Sequence, residues 1–181
     1  MKTLKIAVIA QLVFFASWAA WLAYNDSRPE ADFWIETMPV DPRDLLSGNY
    51  VELVYRIEAP EVESCKNYDS WKYRGKTIYA DLVPDREEAL SDGRNVMIYS
   101  VRSCHEQSDS AKMDEKTVVL NAKWRQKRQF GVRTYLEYAN INRYYMNEND
   151  RKLNIRSGKA AVHVQKNRNG NLRLLEIEEI A

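Results

Sequence analysis

Histidine and cysteine are scarce in this 181-residue chain, with two of each, and that scarcity removes several function classes. His105 and His163 lie in separate regions, so there is no His-Glu-x-x-His helix of the kind that holds a catalytic zinc. A Gly-x-Ser-x-Gly elbow and a phosphate-binding glycine loop are equally missing. Charge of one sign is lacking too: the formal net charge is +1, so without Lys2 and Lys5 the remainder carries −1. Nucleic acid is therefore not an expected partner, because binding it depends on a clustered positive surface. No internal repeat or low-complexity tract is visible, and helical signals are weak beyond the first two dozen residues.

Those first residues hold the strongest signal. Between Lys5 and Asp26 the chain reads IAVIAQLVFFASWAAWLAYN, without a charge. Ile6 to Tyr24 would cover roughly 28 Å as a helix, close to the ~30 Å hydrocarbon core of a bilayer. Lys2 and Lys5 precede the run, whereas Asp26, Glu30 and Asp32 against Arg28 follow it. That asymmetry predicts a cytoplasmic amino terminus and an extracytoplasmic remainder. Trp18, Trp21 and Tyr24 crowd the far end, where amphipathic rings fix helix depth. The alternative is a cleaved signal peptide with small residues at Ser17 and Ala19, but cleavage there would fall inside the apolar run. The mass of the mature amino terminus separates the two readings.

After the predicted anchor at 1–24 comes a polar stretch at 25–37, read as a stem because Asn25-Asp26-Ser27-Arg28-Pro29 resists continuing a helix. Residues 38–181 are a size that makes one domain, with its folded part expected to begin near Phe33. Apolar and polar residues alternate at 51–57, 77–83, 95–102, 117–125, 132–138 and 158–166, the mark of half-buried strands. In the last of these Ala160, Val162 and Val164 face one way, leaving His163 as an exposed strand residue. Asn169-Gly170 predicts a type I′ hairpin into a returning strand at 172–177. Single helical turns are predicted at 44–47 and 86–90. The expected fold class is mostly β, a small barrel- or sandwich-like domain with minor helical turns.

Lys123, Arg125, Lys127, Arg128 and Arg133 form a basic stretch without acids, read as the solvated faces and turn of a hairpin. Its functional alternative is a patch that leans on anionic headgroups. Cys65 and Cys104 lie beyond the anchor, where an oxidising compartment lets disulfides persist. A bridge between them would close a loop of roughly 40 residues, worth about 4 kcal/mol by chain entropy. The alternative, a zinc site begun by the two cysteines and His105, needs a fourth ligand that the spacing does not supply. Neither a metal nor a cofactor is expected.

Residues 39–55, PVDPRDLLSGNYVELVY, describe a turn feeding a strand. Gly48, Asn49, Tyr50, Leu53 and Tyr55 resemble the motif of the bacterial family named for Gly-Asp-Tyr-x-x-Leu-x-Tyr, with Asn49 where that family has aspartate. The lead-in with Asp41, Pro42, Arg43 and Asp44 is similar to that family's, and Tyr138 to Tyr145 is similar to a second, aromatic-rich family block. The resemblance covers nearly the whole chain. It implies a membrane-anchored protein, often encoded near multi-span membrane proteins, and no particular activity.

Leu53 and Tyr55 share an apolar face with Val51 and Ile57 and are expected in the core. Tyr50 falls opposite, near Asp41, Arg43, Asp44 and Glu52, where the cluster reads either as a binding groove or as a network holding the turn. An anchored β domain with such a turn is also similar to type I signal peptidases, but Thr37-Met38-Pro39 puts threonine at the nucleophile's place and no lysine base follows. Carboxylate pairs such as Asp41 with Asp44, or Glu61 with Glu63, could do glycosidase-like work; among 26 acids such pairs arise by chance. The expectation is a non-enzymatic accessory or interaction module working with an integral membrane partner. A ligand-binding or sensing domain built on Tyr50 is the alternative.

Overall fold

The computed structural model describes residues 2–26, 28–38, 50–68, 73, 75–106, 116–125, 135–145 and 160–181. It opens with a single helix, α1, at Lys2–Asp26. Within it Leu4–Tyr24 is long and apolar enough to cross a membrane. Every residue of that span is exposed, so no face of the helix is covered by the rest of the chain. A helix apolar all round and covered nowhere has no stable place in water.

The rest is β structure. The strands are β1 at Pro29–Glu36, β2 at Tyr50–Glu52, β3 at Thr77–Ala89, β4 at Asn95–His105, β5 at Val118–Arg125, β6 at Tyr135–Tyr138, β7 at Arg143–Tyr145, β8 at Ala160–Asn167 and β9 at Leu172–Glu179. Seven of them form one curled sheet, a half-barrel, in the order β6-β5-β3-β4-β1-β8-β9. Its neighbours run antiparallel except β1 and β4, which are parallel and meet at Trp34 and Ile98. β2 and β7 make a separate two-stranded ladder.

Period-two alternation decides which face is filled. Phe33 and Ile35 of β1, Ile78, Ala80 and Leu82 of β3, Leu120, Ala122 and Trp124 of β5, and Val162 and Val164 of β8 all join the main core. On the opposite face, Leu90 and Ile98 pack with Ala161, flanked by Trp34, Val96 and Ile180. There the tip of the β3–β4 hairpin folds over β1 and β8, and Leu90 bridges Ile180 just past β9.

Several expectations change. The predicted helical turn at 86–90 is strand: Arg86 to Ala89 pair with Ile98 to Asn95, and this cross-strand pairing overrides the local Glu-rich helix propensity. Pro84 lies within β3. It sits at a register shift, beyond Leu82, where β3 no longer has β5 beside it, so a missing N–H is tolerated. The stretch read as a stem carries β1, which lies inside the sheet between β4 and β8. The strand expected over 51–57 stops at Glu52, and Arg56–Glu58 form a 3-10 turn, although Leu53, Tyr55 and Ile57 are buried as their alternation required.

At the β8–β9 turn Gly170 alone has positive φ, at 79°, so the turn is not type I′. The Gly170 N–H donates to the Asn167 carbonyl, and the Asn167 side-chain oxygen accepts from the N–H groups of Asn169 and Asn171. This is the three-residue hairpin with a left-handed glycine at its end. His163 is half-buried rather than exposed, its ring stacked on Trp34 at 4.8 Å between centroids. The predicted turn at 44–47 and the basic residues 127, 128 and 133 lie outside the described residues, while β5 and β6 pair antiparallel as the hairpin reading required.

A short helix, α2, at Glu63–Lys66 is tied to β4 by a disulfide between Cys65 and Cys104, which are 39 residues apart. The Cys104 N–H also donates to the Ser64 hydroxyl at 3.2 Å. Both thiols are used in this bridge. Reducing this bridge frees a loop of about 40 residues in the unfolded chain, so loss of about 4 kcal/mol is expected. Thermal unfolding of the full chain with and without reductant measures it, and an unchanged melting temperature would show that the bridge does not constrain the unfolded chain.

Candidate functional site

Two tyrosine hydroxyls organise the region where the motif meets the sheet. Leu53 and Tyr55 lie on the chain leaving β2, both buried, with Tyr55 fully enclosed. The Tyr55 hydroxyl donates to the Ile141 carbonyl, and the Tyr138 hydroxyl donates to the Ile57 carbonyl at 3.3 Å. Between these bonds the Leu53 N–H donates to the Asn142 carbonyl at 2.9 Å, and Tyr50, Val51 and Glu52 pair with Tyr145, Tyr144 and Arg143. The two segments are thus latched reciprocally, each giving a phenol and each giving a carbonyl. Burial and the neighbouring Glu58 carboxylate push both phenol pKa values well up, so the hydroxyls stay donors.

The other side of the same segment joins the end of β1. Thr37 bridges Tyr55, and the Met38 N–H donates to the Val54 carbonyl at 2.7 Å. Thr37 also donates through both N–H and hydroxyl to the Ala160 carbonyl, at 2.8 and 3.0 Å.

Beside this junction a cavity of about 510 Å³ opens, lined by Glu36, Arg56, Ile57, Arg86, Tyr99 and Val101 among others. Glu36 ends β1 and is only 5% exposed. Its Oε2 accepts from Arg86 and, at 3.2 Å, from Arg56. Burial alone raises its carboxyl pKa, but the hydrogen bonds and charges of Arg86 and Arg56 outweigh burial and hold it below the usual carboxylate value. Arg86 also donates to Glu88 at 2.6 Å and to Asp85 at 3.2 Å. The side chain of Arg56 remains 68% exposed, which leaves guanidinium donors open to the cavity mouth. A carboxylate flanked by two guanidiniums above apolar residues can orient a polar partner group; it offers hydrogen bonds and charge.

Of the residues singled out in sequence, Leu53 and Tyr55 are brought together with the second family block, and Cys65 with Cys104. Tyr50 is the first residue of β2. Asp41, Arg43, Asp44, Gly48 and Asn49 lie outside the described residues, and with them most of the expected Tyr50 cluster. Among the described residues no group of three His, Cys, Asp or Glu is arranged to hold a metal. Glu36, Arg56 and Arg86 were missed. The signal was present in β1, where Glu36 continues the face opposite Phe33 and Ile35, but its burial depends on arginines 20 and 50 residues away.

The family model of GDYXXLXY protein matches residues 11–177 of the chain. Among the curated proteins and among the solved structures, no match is found.

Tyr55→Phe and Tyr138→Phe are each expected to cost about 1–2 kcal/mol, because each leaves a buried carbonyl without its donor. Their costs should be non-additive, since both bonds hold one latch. Urea unfolding of the detergent-solubilised chain reads this, and a neutral Tyr55→Phe would sink the latch. Glu36→Gln should cost about 2 kcal/mol at neutral pH through two charged hydrogen bonds. Because the folded carboxyl titrates below its ordinary value of 4.5, the wild-type advantage is full above that pH and is lost as pH falls through the lowered value. An advantage that instead grew on acidification would contradict the ion-pair assignment.

Proposed function

The chain belongs to the GDYXXLXY protein family, and from that premise we propose that it is a membrane-anchored, extracytoplasmic accessory module that works with an integral membrane partner at the bacterial inner membrane. The observation that carries the reading is the junction between α1 and β1. The helix ends at Asp26 and a central strand of the sheet begins at Pro29. At ~3.5 Å per residue such a link holds the start of β1 within roughly 10 Å of the helix end. Arg28 lies over the Tyr24 ring at 4.1 Å, adding a cation–π contact across the same junction. A domain held this close works at the membrane surface, and a protein embedded there is the partner within reach. Lys2 and Lys5 before the span favour an amino terminus on the cytoplasmic side. The helix continuing to Asp26 favours a resident anchor over a cleaved signal.

A second reading, ligand binding, is favoured by the cavity over Glu36, which lies beside Thr37 and Met38 where the family lead-in starts. A ligand there would meet Arg56 and the buried Glu36 carboxylate. Crosslinking in intact cells followed by pull-down distinguishes the two. Recovery with a multi-span membrane protein is expected, and recovery solely as a free monomer would count against the accessory role.

A further inference from the structure

The half-barrel has a mouth near the end of the anchor. There a cavity of about 800 Å³ is lined by Glu30 and Asp32 of β1, by Lys166 and Arg168 at the β8–β9 turn, and by Lys116 just before β5, with Tyr79 and Tyr99 among the walls. Pro29 pairs with Asn167 and Ala31 with Lys166, so the turn stands directly beside the first residues after the helix. The sheet curls until Asn121 of β5 reaches the same turn: a Cβ on Gly170 would lie 3.4 Å from the Asn121 amide nitrogen.

The cations here are unequal. Lys166 is nearly buried, its side chain 14% exposed, and its amine pairs with Glu30 at 2.8 Å. Asp32 accepts from Gln165 at 3.2 Å and stands 3.7 Å from His163. No acid among the described residues stands within ion-pair distance of Lys116 or Arg168. Two cations without an acidic partner among the described residues therefore share one concave site.

We propose that this mouth binds the phosphate of an anionic lipid headgroup from the membrane in which α1 is inserted, with Lys116 and Arg168 as the anion-binding groups. The proposal rests on the anchor reading above. Chain length supports the lipid as the source: Glu30 lies four residues beyond Asp26, hence within roughly 14 Å of the helix end. The headgroup layer itself is about 5–7 Å deep on each side of the hydrocarbon. Lys116 and Arg168 can each strengthen attraction to an anionic leaflet by about fivefold, and a concave site lets both meet one phosphate.

The test uses the full chain in nanodiscs of phosphatidylcholine, with or without phosphatidylglycerol, and reads backbone amide exchange over 116–121 and 166–171. Phosphatidylglycerol should slow exchange in both segments by about 25-fold, the product of two cations, and 1 M salt, where the Debye length is about 3 Å, should remove most of that protection. The double variant K116Q/R168Q should lose it, whereas K66Q, a cation of α2 outside the mouth, should keep it. Equal protection in pure phosphatidylcholine, retention in the double variant, equal loss in K66Q, or the same protection from inorganic phosphate would each overturn the proposal. Should K116Q/R168Q fold poorly, the salt titration of the wild-type chain decides by itself. Flotation of the chain with vesicles tests the anchor separately, so failure of α1 to insert is distinguished from an empty mouth.

Discussion

A half-barrel of seven strands leaves its inner side open, and what fills it here is irregular backbone. The segment from Leu53 to Ile57 enters the core with its peptide groups still needing partners, a demand that an apolar interior does not meet. The phenols of Tyr55 and Tyr138 meet part of it, each donating to a carbonyl of the opposite segment. Large aromatic bodies fill volume while their hydroxyls satisfy backbone, and phenylalanine could do only the first. The family motif therefore reads, at its Leu and second Tyr positions, as the plug of the fold. The disulfide and α2 hold the chain that leaves this plug against β4.

Elements whose information is local were legible in the sequence. The long apolar helix, the alternation in β3, β4, β5 and β8, and the burial of Leu53, Tyr55 and Ile57 all follow from spacing alone. Features made by distant residues were not. Glu-rich 86–89 reads as helix until β4 lies beside it. His163 reads as solvent-facing until Trp34 of β1 stacks on it, and nothing near Glu36 in sequence announces the Arg56 and Arg86 that pair with it. The turn after β8 was found at the right residues but with the wrong geometry, because the Asn167 side chain, and not an Asn-Gly pair in left-handed conformation, sets it.

Polar chemistry gathers at two places along β1. At its end, Glu36 and its arginines border the motif segment; at its start, Glu30 and Asp32 border the basic mouth. One strand thus links the mouth, the core and the buried carboxylate in eight residues, beginning just after α1. Such an arrangement suits a protein whose position relative to a membrane matters.

The placement of β1 also sets an order of events during synthesis. This strand is the first of the sheet to emerge after the anchor, yet its neighbours are β4 and β8, and Pro29 pairs with Asn167. Contacts so distant in sequence close slowly. Until β8 arrives, β1 has an open edge, and an open strand edge invites pairing with another chain. Most of the polypeptide must therefore be made before the sheet can be completed.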